Sequence, residues 1–324
     1  MTLAKSLAAC ALGLAALLQA APALADGYPD RPIRLIVPTS PGSTADVVAR
    51  VVADKLGQTL AQSLIVENLA GAAGIPGTRQ LVAAKPDGYT LAIVSSNHAI
   101  NPSLYKTIPY DSVRDITPIS VIGTTPLVVV VSDASPYTSI DALLKAAKAQ
   151  PGKINYGSSG TGSVLHLAGE LLKSKAGIDM MHIPYRGGNA LITDVMSGQV
   201  QTAFLAVPSV LAQIQAGKLR ALAVSTPKRL AVLPDVPTLD EAGVNGYAYD
   251  AWIALIGPAG LPPAIVAKLQ QATQQAMRDK QVLNALSPQG FVSDGGTSEQ
   301  AARTLADEIS RTRTLVSAAG LTPE

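Results

Sequence analysis

The sequence predicts an α/β protein of two domains joined by two crossover strands, with a ligand cleft between them. Three observations carry this. Short Val/Ile/Leu runs alternate with helix-period segments along nearly the whole chain, as parallel strands covered by helices on both faces require. Two segments break the alternation: ITPISVIGTTPLVVVVS (116–132) reads as two strands back to back, and YDAWIALIGPAG (249–260) as an isolated strand after a Pro/Gly-rich stretch. Finally, loops rich in Gly, Ser and Thr recur where strands give way to helices.

Taken in order, IRLIV (33–37) is the first strand, followed by a helix over 44–60. LIVEN (64–68) is the second, followed by a helix through TRQLVAAK (78–85). PDG (86–88) signals a turn before YTLAIVSS (89–96). INYG (154–157) precedes a helix over 163–175, HIPY (182–185) precedes ALITDVMSG (190–198), and TAFLAV (202–207) precedes VLAQIQAG (210–217). RALAVST (220–226) follows, and a long helix is expected over 262–279. A chain that leaves one α/β domain, builds a second and returns needs two crossings, which fall near residues 125 and 250. Domain 1 is then 26–125 plus 251–324, and domain 2 is 126–250. No solenoid period or low-complexity tract competes with this division.

Residues 1–25, MTLAKSLAACALGLAALLQAAPALA, have the form of a cleavable signal peptide. Lys5 gives a sparse positive start, an apolar stretch spans 7–18, and Ala23-Leu24-Ala25 fits small-x-small cleavage. Cleavage after Ala25 and residence in the periplasm are expected. Cys10 stands within the apolar stretch rather than after it, which argues against a lipid anchor. The remaining 299 residues (324 − 25) carry 24 basic groups (25 less Lys5) and 23 acidic ones, a net charge near +1. That balance excludes a nucleic-acid footprint and a polybasic membrane patch. Cys10 is the only cysteine, so the mature chain has no disulfide and no thiol chemistry.

Four loops share one chemistry. TSPGSTADVVAR (39–50) places Thr39, Ser40, Gly42, Ser43 and Thr44 between a strand and a helix. Ser43 to Asp46 is a capping box, in which Ser43 accepts from the amide of Asp46 and Asp46 reaches back. The other hydroxyls exceed what a cap needs, and free amides at a helix start suit an anion. GAAGIPGT (71–78), with Ala73 and Gly74, repeats the pattern with glycine spacing wrong for a nucleotide loop. NYGSSGTGSVLHLAGELL (155–172) is the richest, with Ser158, Ser159, Thr161 and Ser163 ahead of a helix. It lacks a Walker lysine and the G-x-S-x-G elbow. PYRGGNAL (184–191) supplies Arg186, which either grips a carboxylate bidentately or braces domain 2 through a surface pair, with Gly187 and Asn189 at the next helix start. Two such loops fall in each domain, and helix starts opposed across a cleft would trap a small organic acid.

His98, His166 and His182 share no metal-ligand spacing, so no metal and no cofactor are expected. His166 faces either the core or the cleft. Asp250 and Trp252 stand at the return crossing; Asp250 is a ligand candidate, and Trp252 is either core or cleft wall. Nothing places a base beside a nucleophile, so the chain reads as a binding protein and not an enzyme. An exported hydrolase using Ser159 or Ser163 is the rival class.

The residues also resemble a known family. YPDRPIRLIVP, PGSTADVVAR, VEN (66–68), PDGYTL (86–91), NPSLY (101–105), PYD (109–111), AKAQPGKINYGSSGTGS, HLAGELL, HIPYRG, GKLRALAVST, LPDVPTLDEAG and GPAGLP are together similar to the solute-binding receptors of tripartite tricarboxylate transporters, the Bug receptors. The similarity runs through the whole mature chain in order. It implies a periplasmic binding protein of type II fold, monomeric, that captures organic acids and delivers them to a membrane permease of one large and one small subunit. It also implies ligand contacts from loops 39–46, 71–75, 158–163 and 186–189, often through water on the domain 1 side. A same-fold receptor docking on a signalling kinase is the alternative. Three departures stand out: the family loop carries an aromatic at Thr39, proline at Ser40 and glycine at Ser43. Its 68–75 stretch reads Asn-Arg-Pro-Gly-Ala-Gly-Gly-Asn, against Asn68-Leu69-Ala70-Gly71-Ala72-Ala73-Gly74-Ile75 here. These changes imply a larger or differently shaped acid, partly apolar.

Overall fold

The computed structural model describes residues 27–185 and 187–323. The expected signal peptide with its cleavage site, and Arg186, lie outside the described residues. The first sheet is built from β1 (Ile33–Val37), β2 (Leu64–Asn68), β3 (Thr90–Ser95), β4 (Ile116–Thr125), β10 (Ala251–Pro258) and β11 (Val292–Ser293), in the order β11-β4-β10-β3-β1-β2. The second holds β5 (Leu127–Ser132), β6 (Asn155–Ser158), β7 (Met181–Pro184), β8 (Thr202–Ala206) and β9 (Leu219–Val224), in the order β7-β6-β8-β5-β9. The helices with the first sheet are α1 (Thr44–Leu60), α2 (Ile75–Val82), α3 (Asn97–Leu104), α8 (Pro263–Arg278), α9 (Lys280–Leu286) and α10 (Ser298–Ala318). Those with the second are α4 (Ile140–Ala149), α5 (Val164–Ala176), α6 (Gly188–Ser197) and α7 (Val207–Gln215).

The sheets are mixed rather than parallel. β1 pairs in parallel with β2 and β3, and β6 with β7 and β8. β10 runs antiparallel between β3 and β4, and β5 antiparallel between β8 and β9. These two are the strands that enter each sheet directly from the other domain, without a helical crossover to reverse them. Each lies inside its sheet under helices on both faces, so each is a continuous apolar run. Leu127 to Val131 are all buried, as are Trp252 to Ile256.

The crossings are short. Pro126 alone separates β4 from β5. Ser225 ties both crossings together: its Oγ accepts the Leu127 N–H at 2.9 Å and donates to Asp250. Helix α10 has no counterpart in the sequence reading. Thr297 and Gln300 form its reciprocal capping box, and Arg311 reaches the second crossing, donating to the Ala248 carbonyl at 3.0 Å and lying over the Tyr249 ring. Trp252 belongs to the core, 5 % exposed among Ile36, Leu81 and Leu305, and is not a cleft wall. Among the described residues no helix is long and apolar enough to cross a membrane.

Candidate ligand-binding cleft

The Ser/Thr/Gly loops follow the carboxyl ends of parallel strands, where open α/β sheets hold ligands. In domain 1, β1 runs into Thr39–Ser43 and β2 into Leu69–Gly74. Ser43 caps α1 by accepting the Asp46 N–H at 3.3 Å, and its hydroxyl lies 2.8 Å from that of Thr39. The capping box is not reciprocal, since the Asp46 carboxylate takes the Gly42 N–H at 2.8 Å rather than that of Ser43, whose N–H goes to the Ser40 carbonyl. Asp46 therefore folds the loop instead of closing the helix end. Burial alone would raise its carboxyl, but hydrogen bonds from Arg50, Gly42 and Asn68 outweigh this and hold it below the ordinary carboxylate value.

Asn68 joins the two loops. Its Nδ2 donates to Asp46 Oδ1 at 2.9 Å and to the Thr39 carbonyl at 3.2 Å, and its Oδ1 accepts from Arg50 at 2.9 Å. A Cβ on Gly74 would sit 2.9 Å from the Pro38 carbonyl oxygen, so only glycine allows this approach. Ala72 and Ala73, by contrast, are held at φ of 40° and 51° without glycine's freedom. The Ala73 carbonyl accepts from Asn101 of α3 at 3.1 Å.

In domain 2, the Tyr185 N–H donates to the Ser158 carbonyl at 2.9 Å, which sets loops 158–163 and 184–189 side by side. Ser158 is fully buried; its Oγ donates to the Gly160 carbonyl at 2.9 Å and lies 2.7 Å from His182 Nε2. Ser163 caps α5 by accepting the His166 N–H at 3.3 Å. Gly162 lies against domain 1, where a Cβ would stand 2.1 Å from Leu104 Cδ1. Loop 71–74, Asn101, the end of α3 and Gly162 thus form one chain of contacts from domain to domain.

The structure sorts the sequence candidates. The hydroxyls of Thr39, Ser43, Ser158 and Ser163 are engaged in shaping their loops. Those of Ser40, Thr44, Ser159 and Thr161 form no hydrogen bond among the described residues, nor does the side chain of exposed Asn189. Gly187 precedes α6, which has no side-chain cap. Asp250 stands apart at the crossing, bonded to Ser225; burial pushes its carboxyl up to about 6 against the Ser225 hydroxyl and Arg311. Asp46, Asn68, Asn101 and the His166–His182 pair were not singled out as site residues. Their signal is present, since PGSTADVVAR, VEN, NPSLY, HLAGELL and HIPY all lie in the family-like strings. Among the described residues no group of three metal-ligating side chains comes together.

Two α/β domains joined by two braced crossings, with Ser/Thr/Gly loops at the ends of their parallel strands, make a bilobed protein. Residues 48–321 match the Tripartite tricarboxylate transporter family receptor (TctC) family, to which the chain belongs. It is similar to protein BugT of Bordetella pertussis, 37% identical over 313 residues, covering 96% of each chain. Among solved structures it resembles the periplasmic binding protein BugD (30% identity, TM-score 0.78, covering 92% of this chain and 100% of that one). An R. palustris protein solved with adipate is also similar (31% identity, TM-score 0.81, covering 92% and 100%). The type II two-domain fold and a periplasmic solute-binding receptor of the Bug family are thereby established, among relatives that are receptors and not enzymes.

Proposed function

We propose that the chain captures a small organic acid, a carboxylate, in the interdomain cleft and delivers it to the permease of a tripartite tricarboxylate transporter. What supports this is that hydroxyls uncommitted among the described residues, and helix starts without a side-chain cap, follow the carboxyl ends of parallel strands in both domains, with no acidic side chain of the four loops left unpaired. Ser40 and Thr44 approach from domain 1, and Ser159, Thr161, Gly187 and Asn189 from domain 2; Arg186, next to Gly187 in sequence, is the cation. Thr39, Ser43, Ala73, Gly74, Ser158 and Ser163 give the loops their shape. The adipate-bound relative supports a dicarboxylate.

Closure turns the two domains about Pro126 and Asp250, and Ser225 holds both crossings in register. A few charge-assisted bonds, less the cost of closing, support a micromolar dissociation constant, about −8 kcal/mol. The protein acts as a monomer and performs no chemistry on its ligand. The buried Ser158 hydroxyl is the one that meets an imidazole, and it has no exposure through which to attack a substrate.

The test is a melting-temperature screen of refolded, ligand-free protein against mono-, di- and tricarboxylates, aromatic acids and neutral sugars. A rise confined to one acid type and reduced by Arg186→Ala or Ser159→Ala is expected. A rise with a neutral compound alone would overturn the carboxylate reading.

A further inference from the structure

Domain 2's loop rests on two imidazoles that ligand binding leaves without a task. His166 of α5 and His182 of β7 stack with ring centroids 3.7 Å apart and planes 10° from parallel. Tyr156 packs on both, at 6.3 Å and 5.1 Å between centroids. Each ring touches the loop directly. His166 Nδ1 accepts the Gly162 N–H at 2.9 Å, and His182 Nε2 meets the Ser158 hydroxyl, which also accepts the Gly160 N–H at 3.2 Å.

An imidazole nitrogen that accepts a hydrogen bond carries no proton. The Gly162 bond therefore fixes His166 as its neutral tautomer with the proton on Nε2, the side facing Glu170 Oε1 at 3.8 Å. Protonation at Nδ1 would set N–H against N–H and break the contact. A charge on one ring would also oppose a charge on the other at this separation.

The surroundings keep the pair neutral. Burial pushes His166 down to about 4, with Lys173 adding to it. Burial likewise pushes His182 down to about 4, helped by His166 and Lys173 and opposed by Glu170. Glu170 is itself engaged, accepting from the Tyr156 hydroxyl at 2.6 Å and from Lys173 at 3.0 Å; Lys173 also lies 3.7 Å from Asp179. The Tyr247 hydroxyl donates to the Ala168 carbonyl of α5. Strand β8, under α5, carries no titratable side chain, and no charged side chain of α10 figures among the groups acting on either ring.

We propose that neutral His166, with His182 stacked on it, is a positioning residue for loop 158–163, and that protonating His166 unlatches the loop and weakens ligand binding. This rests on the reading that loop 158–163 holds the ligand. Acid then releases ligand through the receptor, separately from any change in the ligand's own charge.

The test compares wild type, His166→Asn and His166→Leu. Asn offers an oxygen near the place of Nδ1 and does not titrate; Leu offers no acceptor. Adipate affinity is measured from pH 7 to pH 4, and the ratio of variant to wild type cancels the titration of adipate itself. Relative to pH 7, this ratio should move at least twofold in favour of His166→Asn at pH 4, the value to which burial pushes His166. His166→Leu should bind tenfold or more weakly at pH 7 while still unfolding cooperatively in urea at that pH. One shared pH profile for wild type and His166→Asn, or wild-type affinity in a folded His166→Leu, would overturn the proposal.

Nitrogen NMR of the ligand-free protein reads the latch without ligand. The Nε2–H tautomer of His166, with a Gly162 amide that shifts as His166 titrates, supports it; an Nδ1–H tautomer or an indifferent amide refutes it. If adipate binds none of the three proteins while the NMR shows the latch, the dicarboxylate reading fails and the positioning of the loop stands.

Discussion

The two halves of the cleft are built from the same loop chemistry on opposite foundations. Domain 1's loops are held by a polar network near the surface, Asp46 with Gly42, Asn68 and Arg50. Domain 2's loops are held from below, by stacked imidazoles, Tyr156 and the Glu170–Lys173 pair. An ionised carboxylate satisfying three donors survives wherever it stays charged, down to the acid limit. A neutral imidazole accepting one amide survives only while it stays neutral. The support of the loop is thus insensitive to moderate acid in domain 1 and sensitive in domain 2.

The strongest way to break domain 1's side is Asp46→Ala. It leaves the Gly42 amide and the Asn68 and Arg50 side chains without their shared acceptor, and a destabilisation of about 3 kcal/mol is expected. Urea unfolding checks this, together with loss of the thermal shift given by the best acid. A variant of unchanged stability would mean that water replaces the carboxylate.

Acid should separate the loops rather than the domains, since His98 lies in domain 1 but bonds to Ser112 and not to a Ser/Thr/Gly loop. Burial lowers His98 to about 4, as it does His166 and His182. A buried His that is neutral in the fold takes up its proton earlier in the unfolded chain, near pH 6.5. Stability is therefore complete above that value and is lost as pH falls toward 4. His98 alone, 4 % exposed and bonded to the Ser112 carbonyl at 2.9 Å, contributes about 3 kcal/mol of that loss. Urea midpoints at pH 7 and pH 4 measure the sum. Amide exchange should rise in loop 158–163 before loop 39–44, and the reverse order would undo the contrast.

A smaller effect sharpens the picture of domain 1. Ala73 holds a left-handed backbone at a cost of about 1–2 kcal/mol. Ala73→Gly removes that strain but loosens the unfolded chain, so a net gain of roughly 0.5–1 kcal/mol is expected. A raised melting temperature without ligand would confirm it; a lowered one would show that the Asn101 contact depends on the methyl group.

Local elements were legible where local rules set them. The periodicity of residues 44–60 gave helix α1 with its Ser43 cap, and the back-to-back apolar runs at 116–132 gave β4 and β5. The Ser/Thr/Gly stretches gave the four loops. The Pro-containing NHAINPSL helix and the C-terminal helix were not drawn, because a mid-segment proline masks the first and a mostly polar sequence the second. Strand direction was missed in β5 and β10, since a fully buried strand reads alike in either sense.

The sequence by itself determined the α/β alternation, the composition of the loops and the family, because spacing and residue type are properties of the chain alone. Only the tertiary structure decided which groups support those loops. Asp46 was expected to close its own helix cap, but a residue 22 positions away, Asn68, draws it into a second loop. His166 and His182 show no spacing that predicts contact, yet parallel pairing of β6 and β7 with α5 above them brings the rings together. Such contacts depend on how sheets and helices stack, and stacking is fixed by burial of the whole core rather than by any short stretch of sequence.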